Sequence, residues 1–208
     1  MRANDVTLEV GESSYPGRFH VPDASTDQGV LMVPGAGHGP FGDIFRVFAE
    51  EAADAGYSVA RFETWPFPDD LEKSDAEFEA ELEASVEFLR SRGCETITVI
   101  AKSFGGRVVL QHRPEAVDRM VLWAPAIKFG EHDEYPSITA PELAEFDSPV
   151  RLLRGDEDDV ISKEDAESIA EHVPDGELVE LPDEDHSFLR DHRHVIDETM
   201  AFLPASDS

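Results

Sequence analysis

One cysteine, Cys94, stands among 208 residues, so no internal disulfide can form and nothing in the thiol chemistry calls for an oxidising compartment. A structural thiol is the expected role. Cations are scarce as well: 17 basic residues, only four of them lysine, face 46 acidic ones for a formal net charge of -29. A chain so short of positive charge cannot neutralise a phosphate backbone, which excludes nucleic acid as an expected partner. Long apolar runs are missing too. The opening MRANDVTLEV has no stretch of signal-peptide length and no later run reaches spanning length, so a cytoplasmic protein with no membrane partner is expected. No His and Cys cluster has metal-ligand spacing, so neither a metal nor an organic cofactor is expected. Linkers, low-complexity segments and internal repeats are also absent, which leaves one compact domain over residues 1–208 as the expectation.

What is present argues for a folded chain. Hydrophobic residues make up 40% of the sequence and gather into short segments that a disordered acidic chain would lack. The acids are spread along the chain, as a solvated anionic surface requires, and are not collected in one binding tail. An evenly acidic, lysine-poor surface resembles proteins of high-salt cytoplasms, where ions screen the self-repulsion of the compact state.

The pattern of elements alternates. Val6 to Val10 and Arg18 to Val21 read as an antiparallel pair around the turn-rich GESSYPG. Gly29 to Val33 is apolar throughout, as a strand covered on both faces must be. After the Gly-rich PGAGHGPFG, the residues Ile44, Phe45, Phe48 and Ala52 share one helical face, closed by Gly56. Tyr57 to Phe62 predicts a strand, and Ser74 to Gly93 an acidic helix with Phe78, Leu82, Val86 and Leu89 inward. Strands at 96–101, 119–123, 150–153 and 177–181 follow, with helices at 104–112, 163–172 and about 189–202. Strands alternating with helices imply an α/β fold: a mainly parallel sheet with helices on both faces, whose ligands bind beyond the carboxyl ends of the strands.

Within ITVIAKSFGG an apolar strand runs into Ser103 and a helix starts almost at once. A serine there sits on a sharp turn, and the small residues Ala101, Gly105 and Gly106 let strand and helix backbones approach while the hydroxyl is thrust outward. The helix N-terminus aims unpaired N–H groups at any negative charge that develops beside it. A serine that merely caps a helix is the plainer alternative.

This segment, Ala101-Lys102-Ser103-Phe104-Gly105, resembles the nucleophile elbow GxSxG of the α/β-hydrolase family, with Ala in place of the first Gly. The resemblance spans nearly the whole chain. It implies an α/β-hydrolase fold, Ser103 as nucleophile, and a base and an acid later in the chain. The turn Gly155-Asp156-Glu157-Asp158-Asp159 is similar to the family's acid turn, which makes Asp158 the matching acid, with Asp156 and Asp159 as rivals. His186, in PDEDHSF after the last strand, stands where the family keeps its catalytic histidine, with Asp185 replacing the usual Gly and introducing a neighbouring negative charge. The oxyanion donors implied are the backbone N–H of Phe104 and that of Ala36, the latter in Pro34-Gly35-Ala36 where the family often reads His-Gly-x. No GK[ST] follows that loop, which tells against a phosphate cradle.

The chemistry implied is cleavage of an ester or thioester, with an amide equally compatible, through an acyl-enzyme on Ser103, with a small-molecule acyl substrate and no metal or cofactor. Residues 127–148 are too short for a large lid, so a minimal cap and an open site are expected. His38, in the Gly-rich loop, is expected to line the pocket, and Phe41, Trp65, Phe67, Phe104 and Phe129 fall in loops near the site, as an apolar wall or as packing beneath the loops. Among compact members the chain looks most like the dienelactone hydrolase-related and small carboxylesterase branch, and Ser in place of Cys at the elbow argues against dienelactone hydrolase activity itself. A noncatalytic binding protein on the same scaffold and an acyltransferase using the same triad are the alternatives. Oligomeric state is left open.

Overall fold

The computed structural model describes residues 1–37, 39–65 and 73–205. Two antiparallel strands, β1 (Arg2–Val10) and β2 (Ser13–Val21), open the chain. The remaining elements alternate: β3 (Gln28–Val33), α1 (Asp43–Asp54), β4 (Ser58–Phe62), α2 (Asp75–Arg90), β5 (Thr96–Lys102), α3 (Phe104–His112) and β6 (Arg119–Trp123). After the short β7 (Lys128–Phe129), β8 (Ser137–Ile138) and α4 (Ala140–Leu143) come β9 (Val150–Gly155), α5 (Lys163–His172), β10 (Gly176–Leu181) and α6 (His192–Phe202).

Eight strands form one sheet in the order β1-β2-β4-β3-β5-β6-β9-β10. All neighbours from β4 to β10 are parallel, and only β2 runs against its partners. This is the α/β-hydrolase fold. The chain moves one way from β3 to β4 and the other way from β3 to β5, so the order reverses at β3. Loops leaving the carboxyl ends of β3 and β5 therefore diverge and open a crevice there.

The central strands β3, β4 and β5 are buried along their middles, where their residues are mostly apolar. On one face Trp123 of β6 lies against Phe45 and Phe48 of α1. Its indole N–H donates to Thr199 of α6 at 2.9 Å, which satisfies the one polar atom of a large buried ring. On the other, Phe88 of α2 meets Phe19 and Phe62 edge-on. Helix α2 starts at Ser74, whose N–H and hydroxyl both donate to the Glu77 carboxylate, the reciprocal cap its sequence encodes.

Two local readings need correction. The expected turn GESSYPG is mostly strand: β1 and β2 pair from Arg2–Val21 to Val10–Ser13, leaving Gly11 and Glu12 as the turn, with Gly11 at φ +58°. Pro16 is tolerated because the β2–β4 ladder begins only at Gly17. The last helix starts at His192 and not near Leu189, because the Asp191 carboxylate accepts from the N–H groups of Arg193 and His194 and so caps it there. Between β6 and β9 lie only the two-residue strands β7 and β8 and the single turn α4, a minimal cap. Among the described residues no helix is long and apolar enough to cross a membrane.

Candidate active site

Ser103 sits between β5 and α3 at φ 50°, ψ -114°, a region L-residues rarely occupy. Such a conformation costs on the order of 1–3 kcal/mol and persists only where neighbours over-determine it. Here they do. The Ser103 N–H donates to the Trp123 carbonyl at 2.9 Å, and its carbonyl accepts from Arg107 N–H (3.1 Å) and Ala126 N–H (2.9 Å). A Cβ on Gly105 would stand 2.4 Å from the Pro34 carbonyl, and one on Gly106 2.9 Å from Pro125 Cβ. Glycine at both positions is what allows the strand-to-helix turn to nest against its neighbours.

The held turn presents the Ser103 hydroxyl to His186, with Oγ and Nε2 2.8 Å apart. On the other side of the ring, Nδ1 lies 3.0 Å and 3.2 Å from the two carboxylate oxygens of Asp158. The three side chains come from the ends of β5, β9 and β10, 28 and 83 positions apart in sequence. A glycine joins the last two loops: a Cβ at Gly155 would fall 2.1 Å from the Glu184 carbonyl, so only Gly lets the β9 end touch the histidine loop.

The acidic turn after β9 offers three aspartates, and burial separates them. Asp156 and Asp159 are exposed, while the Asp158 side chain is fully enclosed. Its Oδ1 also accepts from the N–H groups of Val160 (2.8 Å) and Ile161 (3.1 Å). Burial pushes its pKa upward, but the hydrogen bonds from His186 and these amides outweigh burial and hold the carboxyl below its ordinary value. Arg154, itself buried, braces the turn by donating to the Asp158 and Ile161 carbonyls, each at 2.9 Å. Asp185 takes Ser187 N–H at 2.8 Å and the Ser187 hydroxyl, and pairs with Arg190, so its charge is spent on the local turn.

Ser103 and His186 open into a cavity of about 180 Å³ walled by Gly35, Ala36, Ile44, Phe45, Lys102 and Leu189 among others. Phe104 is the first residue of α3, so its N–H has no acceptor within the helix. Ala36 lies in the cavity wall on a loop whose Gly35 rests against the elbow: a Cβ there would be 3.2 Å from Ser103 Cβ. The same loop is braced from below by buried Arg61 of β4, which donates to the Pro40 carbonyl at 2.7 Å.

The aromatic wall is a correction. Trp65 is buried, donates to the Pro34 carbonyl at 3.1 Å and packs on Phe78 and Phe104, so these rings fill space beneath the loop. Phe129 faces away, stacked 4.8 Å from the His172 ring and tied by its N–H to Asp165 of α5. Phe41 is half-buried and is not part of the cavity wall. His38 and Phe67 lie outside the described residues. Ile44, Phe45 and Leu189 supply the apolar surface instead. Ile44 and Phe45 lie on the helical face that the periodicity predicts, and they pack in the core while reaching the cavity. The contacts of Lys102, Arg61 and Arg154 have no signature in the sequence, since a cation inside a strand carries no local signal of its target. No group of His, Cys, Asp and Glu able to hold a metal ion occurs among the described residues.

The model of the dienelactone hydrolase family matches residues 47–203. The chain belongs to the dienelactone hydrolase family. The matched stretch of this family contains Ser103, Asp158 and His186, whereas Ala36 and its loop precede it. Membership makes the chain a hydrolase of the α/β-hydrolase fold. No curated protein matches it. Among solved structures, Est1E from Butyrivibrio proteoclasticus is 12% identical over 95% of this chain and 96% of its own, with a TM-score of 0.79. The dienelactone hydrolase from Anabaena variabilis is 20% identical over 98% and 99%, with a TM-score of 0.75. A serine hydrolase without a lid from Xanthomonas campestris is 18% identical over 100% and 98%, with a TM-score of 0.72. At these identities the likeness is one of fold.

Proposed function

We propose that this member of the dienelactone hydrolase family is a serine hydrolase that cleaves esters or thioesters through an acyl-enzyme on Ser103. The observation that carries the reading is the unbroken hydrogen-bonded line from Ser103 Oγ through the His186 ring to the enclosed Asp158 carboxylate. An alcohol is a weak nucleophile at neutral pH and needs such a base, which in turn needs a partner to hold its tautomer.

In this mechanism Asp158 holds the proton of His186 on Nδ1, leaving the Nε2 lone pair facing the Ser103 hydroxyl. As Oγ attacks the substrate carbonyl its proton passes to Nε2, and the carbonyl π electrons move onto oxygen. The N–H groups of Phe104 and Ala36 stabilise that oxyanion. Collapse breaks the bond to the leaving alcohol or thiol, which takes the proton from Nε2. A water molecule, deprotonated by the same nitrogen, then attacks the acyl-enzyme, releases the acid and restores Ser103. The cavity, walled by Ile44, Phe45 and Leu189, suits an apolar acyl or aryl group, and the small cap leaves its mouth open.

Hydrolysis of p-nitrophenyl acetate and butyrate, and of an acyl thioester, tests the reading. Wild type releases the leaving group with turnover, and Ser103→Ala loses roughly a thousandfold or more in kcat. Equal rates for the two proteins on every substrate would remove Ser103 from the mechanism. Acyl transfer to an added alcohol in preference to water would make the chain an acyltransferase instead.

A further inference from the structure

Lys102 ends β5 immediately before the elbow, and its side chain crosses to another loop. Its ammonium donates to the main-chain carbonyl of His186 at 2.8 Å and lies 5.1 Å from the centre of the Phe188 ring, and the residue is part of the cavity wall. The charged groups around it come from three elements. Asp158 stands on the turn after β9, Asp185 and His186 on the loop after β10, and Asp43 shares the cavity wall at the start of α1. Asp158 is committed to His186 and two amides, and Asp185 to Ser187 and Arg190. The hydrogen bond of Lys102 thus goes to a carbonyl, not to a carboxylate.

The loop it grips needs an outside hold. Asp183 and Phe188, on either side of His186, both sit at positive φ, 58° and 56°. Residues of this kind relax unless the surroundings keep them in place. Strand β9 meets that loop through Gly155 against Glu184, and on the β5 side Lys102 is the side chain that hydrogen-bonds to it.

We propose that Lys102 is a positioning residue: by holding the His186 carbonyl it ties the histidine loop to the nucleophile elbow and keeps the imidazole in line between Ser103 and Asp158. The proposal rests on the triad reading above. It has a pH consequence. Burial pulls the ammonium's pKa down to about 8, against the upward pull of Asp158 and Asp185. Below that pH the donor is charged and its bond to the carbonyl is strong; above it a neutral amine donates more weakly. The hold loosens as pH rises through about 8.

The test measures kcat and KM for p-nitrophenyl acetate from about pH 6 to about pH 9.5, in wild type, Lys102→Met and Lys102→Arg, with Ser103→Ala alongside. Lys102→Met is expected to lower kcat about 10- to 100-fold, the scale of a misplaced catalytic group, with KM within about twofold. Arginine, which stays protonated, restores most of the loss. Wild-type kcat falls as pH rises through about 8, and the arginine variant shows no such fall. A methionine variant with wild-type kcat, or a wild-type profile flat through that range, overturns the proposal, and the second result holds even if the methionine variant does not fold. An active Ser103→Ala would sink the triad reading itself. An inactive Ser103→Ala beside a fully active Lys102→Met would sink only the role of Lys102.

Discussion

Asp158→Asn changes one atom and keeps the shape, so it isolates what the charge does. The Asp158 carboxylate, fully enclosed, accepts from three donors: the N–H groups of Val160 and Ile161 and Nδ1 of His186. An asparagine has one accepting oxygen and a donating NH2. If the oxygen keeps the two backbone amides, the NH2 faces His186 and forces its Nδ1 to become an acceptor. The ring proton then moves to Nε2, which points at Ser103 and can no longer take its proton. The expected loss in kcat is about 10⁴-fold, or about 5.5 kcal/mol of transition-state stabilisation. Folding suffers less, by about 1–3 kcal/mol, because two of the three acceptor contacts survive. The pH dependence follows from the lowered pKa. A carboxyl held below its ordinary 3.8 contributes stability that is fully present above about pH 4 and is lost as pH falls through the folded-state value. The stability gap between wild type and variant, measured by urea unfolding, therefore closes in acid. Activity within tenfold of wild type, or a collapse in Asp156→Asn or Asp159→Asn instead, would refute this assignment.

Gly155→Ala puts a methyl group 2.1 Å from the Glu184 carbonyl, two residues before His186. Overpacking there is expected to cost about 1–3 kcal/mol, lowering Tm by several degrees, and to reduce kcat at least about tenfold although Gly155 touches no substrate; thermal unfolding and ester hydrolysis on the same sample check both. The net charge of -29 predicts a Tm that rises between low salt and molar KCl as self-repulsion is screened. A Tm flat across that range contradicts it.

Most of the fold was legible in the sequence because a doubly covered parallel sheet writes itself as short apolar runs between amphipathic helices. The helices at 104–112 and 163–172 and the strand at 119–123 stand where their patterns put them. Boundaries set by single hydrogen bonds were harder: the Asp191 cap and the Gly11-Glu12 turn each moved an edge by a few residues. At the site, chain order and motif brought out Ser103, Asp158 and His186, and the structure sets the His186 ring within hydrogen-bonding distance of the other two. The spacing after Gly155 pointed to Asp158 over Asp156 and Asp159, and in the structure Asp158 is the one of the three that is enclosed and bonded to His186. The aromatic residues misled. A ring in a loop is equally suited to line a cavity or to fill the space under it, and Trp65 does the second because its indole N–H finds the Pro34 carbonyl.

The central claim is that the hydroxyl at position 103 is made reactive by the ring beside it. Incubation with a fluorophosphonate, followed by digestion and mass mapping, tests this most directly. The account predicts one adduct, on the peptide carrying Ser103, and its disappearance in both Ser103→Ala and His186→Ala. No adduct on the folded wild type, or undiminished labelling at Ser103 after loss of the histidine, would contradict it.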